Sequence, residues 1–327
     1  MTFRKVFEHP DVYQIILPMI QNSLPTVNVY LIHSKNSWLM VDAGPKTPDA
    51  LEILSKDLKE LKVDFDALEV FITHQHFDHW GLLKDLLPKG TSVHLSLYDY
   101  DLSGESANSK LEDLYQKRMK QEGVPKEERE VYTYVHRYYR LADKKDFKLV
   151  NAHPGDELQV GDESFKIVSA SGHTPDHLAL YHKRSGMYFC GDQVLVGINP
   201  SIDLSFDGLD LMGNNLKRLK SLLDKELILM PGHGEIMHLP HERIQALYEH
   251  HFTRTQDFYK RIKEHPYASG YDLIRQNKWS IEDSWDKVFF VKRSLIIRQG
   301  FSYLNHLLEK NMIETLENGE QMRYKIS

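Results

Sequence analysis

The chain of 327 residues contains a single cysteine, Cys190. One thiol excludes an internal disulfide and any zinc site built on thiolates, and it suits a reducing, cytoplasmic setting. Long apolar runs are also missing: nothing approaches the roughly 18 residues that mark a membrane-spanning helix, so no membrane partner is expected. Met1 to Pro10 is polar and charged where a secretory leader would place its apolar segment, and a soluble, unprocessed protein is expected. Positive charge is in short supply. Lys and Arg number 41 against 47 Asp and Glu, and the net charge of −6 gives no footprint for bulk nucleic-acid binding beyond a local basic patch. No GxSxG elbow, GxGxxG fingerprint or GxxxxGK[ST] loop occurs, so serine-nucleophile and nucleotide-binding readings lack support. Internal repeats and low-complexity tracts are absent too.

What is present is a chain with 41% hydrophobic residues, long enough for one large core and a smaller module. Short β-rich runs broken by turns fill Val12 to Ser96: Val12 to Leu17, Val27 to Ile32, Trp38 to Val41, Leu68 to Ile72 and Val93 to Leu95. Helical periodicity appears at Asp49 to Leu61 and after Gly81. A second β-rich stretch, Phe147 to Cys190, leads to a helix at Asn214 to Leu223 and a strand at Leu227 to Met230. Strands followed by helices, twice over, predict two sheets packed face to face with helices outside. The charged, Tyr-rich segment Tyr98 to Lys145 is too long for a loop and reads as a helical insertion, with helices at Lys110 to Gln121 and Lys126 to Tyr139, either a lid or a packed pair. From His241 the β signal stops. Helices at Glu242 to Glu264, Tyr271 to Asn277 and Val288 to Asn311 precede Met312 to Leu316 and Met322 to Ile326, which flank the turn signal Asn318-Gly319 and predict a winged-helix-like module over 241–327, after a first domain over 1–240.

Eighteen histidines are many for this length. Three of them fall in Thr73-His74-Gln75-His76-Phe77-Asp78-His79, between an apolar strand and the next helix. Alternate residues at a strand end point the same way, so His74 and His76 can grip one cation while the turn sends Asp78 and His79 toward a neighbouring position. Further candidates recur at the ends of apolar strands: Gly172-His173-Thr174-Pro175, Cys190-Gly191-Asp192 and Pro231-Gly232-His233-Gly234. Singly, each His is more often structural than a ligand; together, four strand ends can supply seven ligands. Asp176 and the pair His250-His251 read as ordinary polar residues, and Cys190 as buried packing rather than a nucleophile.

From Val12 to Glu235 the sequence resembles the metallo-β-lactamase superfamily, in which the HxHxDH loop, a later lone His, a bridging Asp and a final His occur in this order. The resemblance implies a four-layer αβ/βα sandwich. It also implies that His74, His76 and His173 hold one metal, that Asp78, His79 and His233 hold a second, and that Asp192 bridges them. Asp42 matches a family aspartate beside the site and is expected to orient a ligand imidazole, while His177 is expected to pack beside the site without ligating. Imidazole and carboxylate ligands without thiolate suit two Zn²⁺ ions ahead of Fe or Mn. A hydroxide shared by two such ions is a nucleophile at neutral pH, and Asp78 beside it is the expected catalytic proton acceptor and donor.

The fold leaves the substrate open. The Gly191-Asp192 and Pro231-Gly232-His233-Gly234 turns resemble the glyoxalase II-like, thioester-cleaving branch and favour a small ester, thioester or lactone. The C-terminal helices and hairpin resemble the tail of the endoribonuclease branch, which keeps single-stranded RNA as the alternative. A third reading is a chiefly regulatory protein that binds a partner, and the C-terminal module is a candidate homodimer contact. Tyr115, Tyr132, Tyr134, His136, Arg137, Tyr138, Tyr139 and Arg140 of the insertion could line a pocket, stack on bases, or form the buried face of a helix pair.

Overall fold

The computed structural model describes residues 2–19, 24–102, 105–135, 145–202, 208–221, 226–279, 284–318 and 321–327. Strands β1 (Phe3–Phe7), β2 (Asp11–Pro18), β3 (Thr26–Ser34), β4 (Ser37–Val41), β5 (Leu68–Phe71), β6 (Ser92–Leu95) and β7 (Lys148–Asn151) lie side by side in that order as one sheet. Pairing is antiparallel as far as β4 and parallel beyond it. A second sheet places β8 (Glu157–Val160), β9 (Glu163–Ser169), β10 (Leu178–His182), β11 (Met187–Gly191), β12 (Ile228–Pro231) and β13 (Met237–His238) in sequence order, with β11 and β12 parallel.

The period-two pattern of β3 shows why the sheets stack. Val27, Val29 and Leu31 point to one face and Tyr30 and Ile32 to the other, and both sets are buried. Tyr30, Ile32, Val41 and Phe71 meet Phe165, Leu180, Phe189 and Met230 of the second sheet, forming the layer between the sheets. On the outer face of the first sheet lies α1 (Pro48–Glu60), whose Ala50, Leu54 and Leu58 recur at i, i+4 and i+8. Thr47 Oγ1 accepts the Ala50 N–H at 3.3 Å, and Pro48 fits the first turn, where no N–H is needed. The short helices α2 (Phe77–Trp80) and α3 (Leu83–Leu86) follow β5. α4 (Leu97–Leu102), α5 (Glu105–Gln121) and α6 (Lys126–Val135) form the insertion.

Outside the second sheet, α7 (Gly208–Ser221) packs together with α8 (His241–Glu264), α9 (Gly270–Arg275) and α10 (Phe290–Glu309). Their side chains and the outer face of the sheet share one continuous core: Tyr188 and Leu229 with Met212 and Leu216, and these with Leu247, Ile297 and Phe301. The chain closes with the hairpin β14 (Ile313–Asn318) and β15 (Gln321–Ile326), Asn318 facing Gln321 across the turn. The four layers expected from the sequence are present. Among the described residues no helix is long and apolar enough to cross a membrane.

Boundaries moved where packing outweighed local pattern. α7 starts at Gly208, not Asn214, because Leu209 and Met212 extend its apolar stripe to Leu216 and Leu219. β1 carried no usable signal, since none of its residues is fully buried and its pairing with β2 holds it at an edge. The helix expected to open at Gly81 is split into α2 and α3, so the HxHxDH loop runs into a helical turn at Phe77. α6 reaches Val135, and the insertion's aromatic and arginine run from His136 to Arg140 lies outside the described residues. Tyr115 is partly buried against the core that the C-terminal helices share.

Candidate metal centre

The C-terminal ends of β4, β5, β9, β11 and β12 open onto one edge of the sandwich, where open α/β sheets place their ligands. Asp42, directly after β4, has φ of 61°, a left-handed conformation that Asp tolerates better than most residues. There its carboxylate accepts the Thr73 N–H at 2.8 Å and the Thr73 hydroxyl at 2.9 Å, and so fixes the start of the loop after β5. Asp42 Oδ2 also accepts the hydrogen bond of His79 Nδ1–H at 2.7 Å.

All seven sequence-predicted ligands meet at this edge, each of them buried or nearly so. His76 Nδ1 lies 3.0 Å from both His74 Nε2 and His173 Nε2. His233 Nε2 is 3.3 Å from Asp78 Oδ2 and 3.5 Å from Asp192 Oδ2, and His79 Nε2 is 3.5 Å from Asp192 Oδ1. His173 Nε2 stands 3.6 Å from Asp192 Oδ2, so Asp192 touches both groups of donors. Donors about 2.0–2.1 Å from a tetrahedral cation stand about 3.3 Å apart, and the observed separations scatter around that value.

Hydrogen bonds on the far side of four of the five rings turn their other nitrogens inward. His79 Nδ1 donates to Asp42, His173 Nδ1 to the Ser201 carbonyl at 2.8 Å, and His233 Nδ1 to the Thr26 carbonyl at 2.6 Å. His74 Nδ1 is 3.1 Å from Thr73 Oγ1. Inward, His79 Nε2, His233 Nε2 and Asp192 Oδ1 are buried and make no hydrogen bond among the described residues. Three orphaned polar atoms facing one another cost free energy unless a cation or water takes them up, so the residues fit a divalent-metal site.

Electrostatics divide the cluster in two. Burial pushes His74, His76 and His173 below the usual imidazole range, which leaves neutral rings with lone pairs to offer. Burial would do the same to His79, but the carboxylates of Asp42, Asp192 and Asp78 outweigh it and raise that ring well above the usual range. His233 is likewise pushed up to about 10, the effect of Asp192 and Asp78 exceeding that of burial. Burial opposes ionisation of Asp192, but His233 and His79 overcome it and hold the carboxyl well below its usual range.

The packing is tight enough to demand glycine. A Cβ on Gly232 would sit 2.6 Å from Asp192 Oδ1 and 2.7 Å from His79 Cε1, and one on Gly191, at φ of 48°, 2.7 Å from His177 Nε2. His177 packs beside the site: its Nε2 accepts the Asp192 N–H at 3.1 Å and its ring stacks on His74 at 4.7 Å. Cys190 is buried with its thiol pushed up by burial and donating to the Val194 carbonyl, which fits packing. Sequence reasoning missed several supports. Asn28 Nδ2 donates to the Pro231 and Gly234 carbonyls at 2.9 and 2.8 Å, and Tyr30 donates to Pro231 at 2.9 Å, together holding the loop of His233. Asp99 accepts the Thr174 hydroxyl at 3.0 Å, and Asp176 accepts the Ser96 hydroxyl at 2.5 Å, tying the root of the insertion to the loop of His173. A polar residue within an apolar strand, as at Asn28, was the available signal.

Large apolar side chains lie exposed beside the polar cluster. Phe77 is 41% exposed next to Asp78, and Val196 and Ile198 are 44% and 40% exposed on the segment after Asp192. A Cβ on Gly234, next to His233, would lie 3.6 Å from Val196 Cβ.

Comparison with known proteins places these features in context. A sequence model described as the metallo-beta-lactamase superfamily matches residues 24–233. A Bacillus subtilis protein named "Probable metallo-hydrolase YqjP" is 28% identical over 256 residues, 73% of this chain and 77% of that one. An Emericella nidulans protein named "Atrochrysone carboxyl ACP thioesterase" is 22% identical over 225 residues, 68% of this chain and 56% of its own. In three dimensions, a beta-lactamase domain protein from Burkholderia ambifaria superposes with a TM-score of 0.80 at 19% identity, covering 99% of this chain and 94% of the other.

Proposed function

Because the chain belongs to the metallo-β-lactamase superfamily and is a metallo-hydrolase of it, we propose that it cleaves small acyl thioesters, esters or lactones at a two-zinc site. His74, His76 and His173 would hold one cation, Asp78, His79 and His233 the other, and Asp192 would contact both. The observation that carries this reading is the convergence of seven donors, six buried and His76 partly so, at tetrahedral spacings, three of their atoms making no hydrogen bond among the described residues. Bound there, a divalent cation lowers the pKa of a coordinated water from above 15 to about 7 and polarises a carbonyl oxygen.

The chain's own groups do the rest. Asp78 Oδ2, 3.3 Å from His233 Nε2, takes the proton of the attacking water and returns it to the departing thiolate or alkoxide. Asp42 holds the His79 ring in one orientation through Nδ1, and the Ser201 carbonyl does the same for His173. Phe77, Val196 and Ile198 offer an apolar surface for the acyl part and shed water from the reacting carbonyl. That apolar surface and the net charge of −6 favour an uncharged acyl portion over a polyanionic RNA. One relative carries the name of an acyl-carrier-protein thioesterase, which supports the thioester among the three bond types.

The test is to quantify metal in the purified protein and assay acetyl and octanoyl thioesters, lactones and short single-stranded RNA. Two metal ions per chain, with turnover of acyl substrates lost in His74→Ala while the fold is retained, is the expected result. Cleavage of RNA alone, or bound metal with turnover of nothing in the panel, would overturn it.

A further inference from the structure

From Asp192 the chain runs through an arch that returns to the core at Ile202. Val194, Leu195 and Ile202 are buried and pin its two feet. Among the described residues the arch from 195 to 200 makes no backbone–backbone hydrogen bond, so nothing within it fixes its shape. The missing restraint comes from α8. Arg243 Nε donates to the Leu195 carbonyl at 2.6 Å, and its Nη2 donates to the Ile198 carbonyl at 2.6 Å and to Asn199 Oδ1 at 2.9 Å. No ion pair engages Arg243 among the described residues; its planar fork is spent on three acceptors of one arch.

The arch matters because both ends of it reach the metal centre. Asp192 opens it, and Ser201, one residue before the far foot, supplies the carbonyl that accepts the His173 Nδ1 proton at 2.8 Å. That hydrogen bond sets the tautomer and angle of the ring and brings His173 Nε2 to 3.0 Å from His76 Nδ1. A shift of the arch would therefore rotate one ligand and pull on another.

We infer that Arg243 is a positioning residue of the metal centre, through which the C-terminal helices hold Asp192 and His173 in register with the HxHxDH loop. The inference rests on the proposed metal site. Lysine cannot replace it, because a single ammonium lacks the fork that meets three acceptors at once. Groups that orient metal ligands typically contribute 10–100-fold to metal affinity.

Full-length Arg243→Ala and Arg243→Lys test this by zinc affinity in chelator competition, by the absorption spectrum of the cobalt(II)-substituted protein, and by urea unfolding of the metal-free protein. Zinc affinity should fall roughly 10–100-fold in both variants. The cobalt spectrum should change, and guanidinium ion added to Arg243→Ala should restore part of the affinity. Leu247→Ala, a core change on the same helix, serves as the control for destabilisation alone. Unchanged affinity and spectrum in Arg243→Ala, or an equal loss of affinity in Leu247→Ala, would overturn the inference. Should Arg243→Ala not fold, Asn199→Ala removes only the side-chain acceptor and carries the same readouts with a smaller expected loss. Wild-type protein that binds no zinc would instead sink the metal site itself.

Discussion

Asp42 joins three partners with one carboxylate: the Thr73 amide, the Thr73 hydroxyl and the His79 ring. Asparagine can occupy the same left-handed backbone and can accept from Thr73, but its amide offers His79 neither a charge nor a full set of acceptors. Asp42→Asn should therefore bind zinc about 10–100-fold more weakly with little loss of fold, measured by chelator competition beside a urea titration. Wild-type affinity would show that His79 needs no such partner. Gly232→Ala probes close packing instead. The added methyl meets Asp192 Oδ1 and His79 Cε1, so fewer than two metals per chain and at least a tenfold drop in activity are expected, read by metal analysis and initial rates. Full metal content in that variant would mean that the loop of His233 gives way easily. At this scale the sequence was most legible. His74, His76, Asp78 and His79 sit within six residues, and His173, Asp192 and His233 each follow an apolar strand in a glycine-containing turn. Asp99 and Arg243 were not legible, because each acts on groups tens of residues away and leaves no local pattern; Asn28 showed only as a polar residue in an apolar strand, with nothing to name its partners.

The helices α5 and α6 of the insertion show what an element-level reading can and cannot supply. Their existence followed from composition, whereas their docking did not. Glu122, fully buried at the end of α5, accepts the Tyr324 hydroxyl of β15 and the Arg118 Nε, both at 2.6 Å. Arg118 also reaches Asn305 of α10 at 3.1 Å, and Glu128 of α6 accepts the Tyr271 hydroxyl at 2.7 Å and Arg293 Nη1 at 3.2 Å. The insertion is thus joined to the C-terminal helices and hairpin by buried polar groups, and its described part is packed and not free-standing. Only the carboxylate of this pair is fully buried, so Glu122→Ala, which strands the Tyr324 hydroxyl and loosens Arg118, should lower stability by about 1–3 kcal/mol in urea unfolding. A loss below about 1 kcal/mol would mean that solvent reaches Arg118 freely enough to replace the carboxylate.

Across the whole molecule, the core over the second sheet has no boundary at His241: α7 and the sheet share it with α8, α9 and α10. His251 lies in that core, its Nδ1 2.8 Å from the Tyr303 hydroxyl, and its neighbours His250, Arg243 and Arg254 add positive charge. Burial first, and these cations after it, push His251 down to about 3. An unfolded chain takes up a proton on this ring below about pH 6.5, while the folded ring stays neutral until about 3. Stability from this group is therefore complete above about 6.5 and is lost as pH falls toward 3, by up to about 1.4 kcal/mol per pH unit. His251→Leu should flatten the loss of stability between about pH 6.5 and 5 relative to wild type, where few carboxylates titrate. Parallel stability profiles for the two proteins would show that the ring is solvated or protonated in the folded state.

By itself the sequence determined the candidate ligands and the layers. The types of those residues, their order along the chain and the alternation of strands with helices are local properties, each written within a few residues by the geometry of strand, helix and turn. Tertiary structure alone decided which groups hold those ligands in place, how the insertion docks, and that the C-terminal helices reach the arch beside the site. Such contacts join segments far apart in the chain, and the burial and spacing that define them arise only when the sheets have stacked and the helices have closed over them.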